Sequence, residues 1–245
     1  MNDITISRED LKTIKLVSNK VLVKPVLKTS MYKLKNTNIT LQIDTDYDPH
    51  VHAERVVEVV RVPKKLEFSS TFISKNVLPW ETKMELQPGD KAWVRPLSVI
   101  GSEFTELIKI TTREDKQVYF LLSYEDFFVA KRGEEVICLN GYVLIQPNKE
   151  DLQKKFKHII VPAAYRGQGN TQSFKVCFSG SINTGYQDDT KEDFIDELKP
   201  GNNVVVWRKR RPYLMEDPLH ACFNKKEGYF PIQRCDIVYI LDESN

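Results

Sequence analysis

Apolar residues in this chain come in short runs, rich in β-branched and aromatic side chains and closed off by Gly, Pro, Asn or Asp. Runs of that kind read as β-strands. They fall at Lys20–Lys24, Arg55–Val62, Lys91–Arg95, Val118–Leu122, Phe127–Ala130, Val136–Leu139, Tyr142–Gln146, Phe174–Phe178, Asn203–Trp207 and Asp236–Leu241. Helical spacing is scarce: Arg8–Ile14 fits a short helix with Ser7 as its N-cap, and Glu150–Lys155 and Lys191–Leu198 fit a turn or two each. Many short strands joined by turns predict an all-β protein of small barrels rather than an open parallel sheet.

The strands repeat in order. Asn19-Lys20-Val21-Leu22-Val23-Lys24-Pro25 is a weaker copy of Asn140-Gly141-Tyr142-Val143-Leu144-Ile145-Gln146-Pro147, and the opening strands lie 143 − 21 = 122 residues apart. Leu86-Gln87-Pro88-Gly89-Asp90 answers Leu198-Lys199-Pro200-Gly201-Asn202 at 198 − 86 = 112, and each leads into an apolar strand. Asp126-Phe127-Phe128-Val129 answers Asp236-Ile237-Val238-Tyr239 at 236 − 126 = 110. The drift fits loops that differ in length while the strands keep their order. Two domains follow, residues 1–133 and 134–245, with Lys131-Arg132-Gly133-Glu134-Glu135 as a polar junction. The Leu-x-Pro-Gly-Asp/Asn signature has a structural job: proline fixes φ, glycine supplies a positive φ, and Asp or Asn bonds nearby backbone, so the next strand starts sharply.

Composition narrows the class. Of 245 residues, 41% are hydrophobic and 29% charged, and no run approaches the roughly 20 apolar residues of a membrane-spanning helix. Met1-Asn2-Asp3-Ile4-Thr5 lacks the features of a signal peptide, so the expected location is the cytoplasm, the host's if the protein is viral. Cys138, Cys177, Cys222 and Cys235 contain no Cys-x-x-Cys pair and read as buried free thiols; His50 and His52 are too few for a zinc site, and no cofactor is expected. Arg208-Lys209-Arg210-Arg211 is a local basic cluster, but Pro212, Glu216, Asp217 and Pro218 make it a solvated hairpin, and nucleic acid is not read as a partner. No Ser/His/Asp or paired-carboxylate constellation can be localised, and the chain is read as a non-enzyme.

The connections after the two opening strands are long. Residues 26–54 are polar around the apolar island Ile39-Thr40-Leu41, and residues 148–173 are polar around Ile159-Ile160-Val161. Connections of this length point to function or disorder. The bland alternative for each island is an edge strand packing on its own barrel.

Opening strand, long loop with an apolar tripeptide, second strand, Pro-Gly turn, third strand and closing Asp-led strand together resemble a GroES-type co-chaperonin subunit, twice over. The resemblance implies two tandem GroES-like β-barrels, with Asn19–Lys24 matching that family's opening strand and Pro88-Gly89-Asp90 and Pro200-Gly201-Asn202 its turn. It implies that Ile39, Thr40, Leu41, Ile159, Ile160 and Val161 bind a GroEL-type chaperonin ring, and that chains form a homo-oligomeric ring by pairing terminal strands. The zinc alcohol dehydrogenases share that barrel, but their Gly-His-Glu segment, cysteine cluster and Gly-x-Gly-x-x-Gly motif are missing here. A second reading is a structural part, for instance of a phage particle; the Lys- and Asn-rich, glycine-poor composition suits an AT-rich bacterial or phage genome.

Overall fold

Runs of β-branched residues bounded by turn formers become strands here with alternate residues buried: Val57 and Val59 are buried while Glu58 between them is exposed, and Phe174 and Val176 are buried while Lys175 is exposed. The computed structural model describes residues 2–25, 31–33, 40–42, 56–68, 78, 81–95, 98–99, 107–149, 169–180, 198–206 and 229–241. The chain divides into two compact units between Leu139 and Asn140. Unit 1 holds β1 (Asn2–Ile6), helix α1 (Arg8–Thr13), β2 (Lys20–Pro25), β3 (Met31–Lys33), β4 (Thr40–Gln42), β5 (Val56–Arg61), β6 (Lys91–Val94), β7 (Ile108–Thr112), β8 (Val118–Ser123), β9 (Phe127–Arg132) and β10 (Glu135–Cys138). Eight of these form one sheet in the order β1-β7-β8-β2-β5-β6-β9-β10, and β3 pairs with β4 in a separate ribbon. Unit 2 holds β11 (Tyr142–Lys149), β12 (Gly169–Ser179), β13 (Asn203–Val206), β14 (Phe230–Gln233) and β15 (Ile237–Leu241), in the order β14-β11-β12-β13-β15.

Five strands of unit 1, β8-β2-β5-β6-β9, are repeated by β14-β11-β12-β13-β15, and the repeat extends to register. Lys20 pairs with Ser123, and Tyr142, which is 122 residues on, pairs with Gln233, 110 residues on. The ladder of β2 with β5 has a bulge between Leu22 and Val23, and that of β11 with β12 has one between Leu144 and Ile145. The ladder of β6 with β9 is irregular between Trp93 and Val94, as is that of β13 with β15 between Val205 and Val206. Bulges fix strand bend and twist, so their coincidence means that the two sheets bend alike.

The Pro-Gly turns repeat atom by atom. In unit 1 the Val59 N–H donates to Asp90 O at 2.8 Å, the Gly89 N–H to Val59 O at 2.7 Å, and the Gln87 N–H to Asp90 Oδ2 at 2.8 Å. In unit 2 the Val176 N–H donates to Asn202 O at 2.9 Å, the Gly201 N–H to Val176 O at 2.8 Å, and the Lys199 N–H to Asn202 Oδ1 at 2.6 Å. Gly89 and Gly201 stand at φ +93° and +102°, where a side chain would be strained. In unit 1 the turn aspartate is also ion-paired: Arg132 Nε and Nη2 each donate to the Asp90 carboxylate at 2.8 Å, and Nη2 also reaches Glu85 O at 3.0 Å; in unit 2, where Asn202 replaces the aspartate, Arg234 Nη2 reaches Leu198 O at 3.4 Å.

A three-residue 3₁₀ turn, Tyr124–Asp126, joins β8 to β9, the strands at opposite ends of the five-strand order; Arg234–Asp236 does the same between β14 and β15. So short a link requires the sheet to curl until its ends approach. No ladder joins those ends among the described residues, which make each unit a curled sheet rather than a closed barrel. The concave core of unit 1 includes Val21, Val23, Val57, Val59, Ala92, Phe127, Ala130 and Leu139. Tyr124 is buried there and donates to Glu85 Oε2 at 2.9 Å; burial first, then the Glu85 charge, pushes its phenol well above the ordinary value. Leu22 faces the other way, into a second cluster with Leu11 of α1 and Ile110 of β7. Unit 2 has its own core, with Val143, Ile145, Phe174, Val176, Val204, Val206 and Ile232.

The expected helix with a Ser7 cap is present: Ser7 Oγ accepts the Asp10 N–H at 3.0 Å. The expected domain boundary at residue 133 needs correction. Gly133 and Glu134 are the loop of a hairpin in which Glu135 pairs with Arg132 and Cys138 with Val129, so residues 134–139 belong to unit 1. The sheet thus continues across the polar junction because charged residues flank a two-residue turn as readily as a linker. Strands β1, β7 and β14 were not expected from the sequence pattern.

Candidate partner-binding excursions

Both units interrupt the repeated sheet at the same place, between the opening strand and its next neighbour. In unit 1 the excursion runs from residue 26 to 55, between β2 and β5; in unit 2 it runs from 150 to 168, between β11 and β12. Its feet are fixed by the sheet. Pro25 pairs with Val57, and Pro147 with Phe174. In unit 2 the ladder resumes beyond a bulge at Pro147/Asn148, where Asn148 Nδ2 donates to Ser173 Oγ at 3.1 Å and to Asn203 Oδ1 at 3.0 Å. One amide therefore ties three strands together at the root of the second excursion.

Of the six residues expected to bind a partner, Thr40 and Leu41 lie in β4, where Thr40 pairs with Lys33 and Leu41 with Tyr32. Among the described residues this ribbon joins no other strand. Ile39, Ile159, Ile160 and Val161 lie outside the described residues, as do His50, His52, Cys222 and the Arg208–Arg211 cluster. The structure thus brings the two excursions to equivalent topological positions; the pairing of 31–33 with 40–42 is a local feature that alternation in the sequence did not signal.

Among the described residues no group of three or more His, Cys, Asp or Glu is placed to hold a metal ion, and no helix is long and apolar enough to cross a membrane. Cys138 is buried, Cys177 is half-buried with its Sγ 3.4 Å from Gln146 Oε1, and Cys235 is exposed in the 3₁₀ turn before β15, so of these three the expected burial holds for Cys138 alone. A scan of the sequence against protein-family models and a search among curated proteins return no match.

Proposed function

We propose that the chain is a non-enzymatic co-chaperonin, two tandem GroES-like barrels that cap a GroEL-type chaperonin ring and assist protein folding in the cytoplasm. One observation carries this reading: two sheets with the same ladders and bulges each release a long excursion from the same strand junction, and each excursion contains one of the apolar tripeptides. The chemistry is non-covalent. Ile39, Thr40, Leu41 and Ile159, Ile160, Val161 lay apolar side chains into a groove on the chaperonin, each worth at most roughly 1.5–3 kcal/mol before ordering costs. A single tripeptide binds weakly, and several presented together raise the effective concentration of each, so the cap holds yet releases when the chaperonin changes state.

The two excursions differ in strength. Thr40 puts a hydroxyl in the middle of the first tripeptide, and burying it without a partner costs part of what its neighbours contribute. Ile160→Asp is therefore expected to weaken chaperonin binding more than Thr40→Asp. Titration of each variant against chaperonin with nucleotide checks this; equal loss would contradict the ranking, and unchanged binding in both would remove these residues from the interface. The pairing of Thr40–Gln42 with Met31–Lys33 favours a second reading, a structural protein whose excursions are built arms. Slow amide exchange over 31–42 and 156–162, with chaperonin binding absent in the wild type, would select it.

A further inference from the structure

The two excursions are rooted differently. In unit 1 the last described pairs of the ladder are in step, with Lys24 opposite Glu58 and Pro25 opposite Val57. In unit 2 the equivalent ladder sets Gln146 opposite Lys175 and Pro147 opposite Phe174, and then jumps, so that Asn148 lies opposite Asn170 and Lys149 opposite Gly169. Continued in step, Asn148 would face Ser173 and Lys149 would face Gln172. The observed register is displaced from that by 173 − 170 = 3 residues, about 10 Å of extended chain. An ordinary bulge inserts a single residue.

Hydrophobic patterning cannot set this register. Gly167-Gln168-Gly169-Asn170-Thr171-Gln172-Ser173 carries no apolar side chain, and a strand that is polar on both faces slips readily between registers. What separates one register from the other is the Asn148 side chain. Its Nδ2 donates to Ser173 Oγ at 3.1 Å and, reaching past β12 to the first residue of β13, to Asn203 Oδ1 at 3.0 Å. Asn203 is itself fixed in the sheet, opposite Lys175 on one side and Leu241 on the other. Unit 1 cannot form the same tie. By their place in the ladders Val56 and Lys91 stand where Ser173 and Asn203 stand, and neither side chain has an oxygen to accept a hydrogen bond.

We infer that Asn148 is the positioning residue of the second excursion: by bonding Ser173 and Asn203 it holds β12 three residues out of step and so fixes where residues 150–168 leave the sheet. Without the tie the ladder continues in step, with Asn148 opposite Ser173 and Lys149 opposite Gln172, and residues 169–171 pass out of the sheet into the excursion. The foot on β11 stays where it is. The foot on β12 moves, and Ile159-Ile160-Val161 then lies three residues further from it along the chain. An arm whose two feet are fixed before it docks gives up less freedom on binding than one whose foot slides, so the tie favours the second tripeptide as the leading contact. That consequence rests on the chaperonin reading, whereas the register itself does not.

The register is read by cross-linking in the full chain, with linked peptides mapped by mass so that native thiols are told apart. Directly opposed residues of an antiparallel pair bring their Cα atoms within disulfide range. Lys149→Cys with Gly169→Cys is expected to form a disulfide on oxidation, and Lys149→Cys with Gln172→Cys is not. Adding Asn148→Ala should reverse that preference with unchanged circular dichroism. Asn203→Val, which removes the acceptor on β13 and leaves Asn148 in place, should reverse it too. The inference is overturned if 149 links to 172, or fails to link to 169, before Asn148 or Asn203 is changed, and equally if 149 stays linked to 169 after both substitutions, as it would if the tie only added stability. Titration against a GroEL-type ring with nucleotide then reads the consequence: Asn148→Ala should weaken binding by about tenfold, the order that two lost hydrogen bonds allow. Unchanged binding with a reversed register would overturn the positioning role. A register that behaves as expected in a chain that never binds the ring would sink the chaperonin reading and leave the register assignment standing.

Discussion

Asp90→Ala is expected to destabilise unit 1 by roughly 3 kcal/mol, near the low end of what breaking a buried ion pair costs. The Asp90 side chain is 2% exposed and accepts from Gln87 and from two nitrogens of Arg132, so alanine leaves a turn N–H without its acceptor and the guanidinium with only Glu85 O and water. The low end applies because the Arg132 side chain is 34% exposed and water takes over part of its solvation. Its guanidinium is held above its ordinary pKa first by the hydrogen bond to Asp90 and then by the Asp90 charge, opposed by desolvation. Asp90→Asn is expected to cost less, about 1 kcal/mol. Unit 2 shows why: Asn202 closes the same turn with its amide oxygen on the Lys199 N–H. Denaturant unfolding checks both, the alanine variant shifting the midpoint strongly and the asparagine variant modestly, with the slope unchanged.

The second large effect lies at one position of the repeat seen in two environments. Leu139→Ala should cost about 2–5 kcal/mol, because a fully buried leucine leaves a cavity in the unit 1 core. Val17→Ala, 122 residues earlier, should change the stability of the isolated chain by less than about 0.5 kcal/mol, as expected of an exposed site. Denaturant unfolding of the two variants separates them. A small loss at Leu139 would contradict the assignment of residues 134–139 to unit 1.

Much of the sheet is legible in the sequence because its signals are local. Strands β2, β5, β6 and β9 and their repeats β11, β12, β13 and β15 are apolar runs between turn formers, and the offsets of 122, 112 and 110 residues reappear in the ladders. Non-local features are not legible. Ile108–Thr112 carries a strand's alternation over too few residues to stand out, and it pairs both with β8 across a short turn and with β1, more than a hundred residues away, a parallel pairing that no local pattern signals. The Arg132–Asp90 pair spans 42 residues, so Lys131–Glu135 looks like a linker when its arginine is in fact anchored in the sheet. For the candidate site, loop length and the apolar islands stand out in the sequence; the ribbon of β3 with β4 does not, since three-residue strands carry too little periodicity to detect.

Binding of the purified wild-type chain to a GroEL-type chaperonin ring, followed by co-elution with and without adenine nucleotide, tests the central claim most directly. The account predicts nucleotide-dependent co-elution that Ile160→Asp reduces most. Separate elution under every nucleotide condition, from a chain shown to be folded, would contradict it.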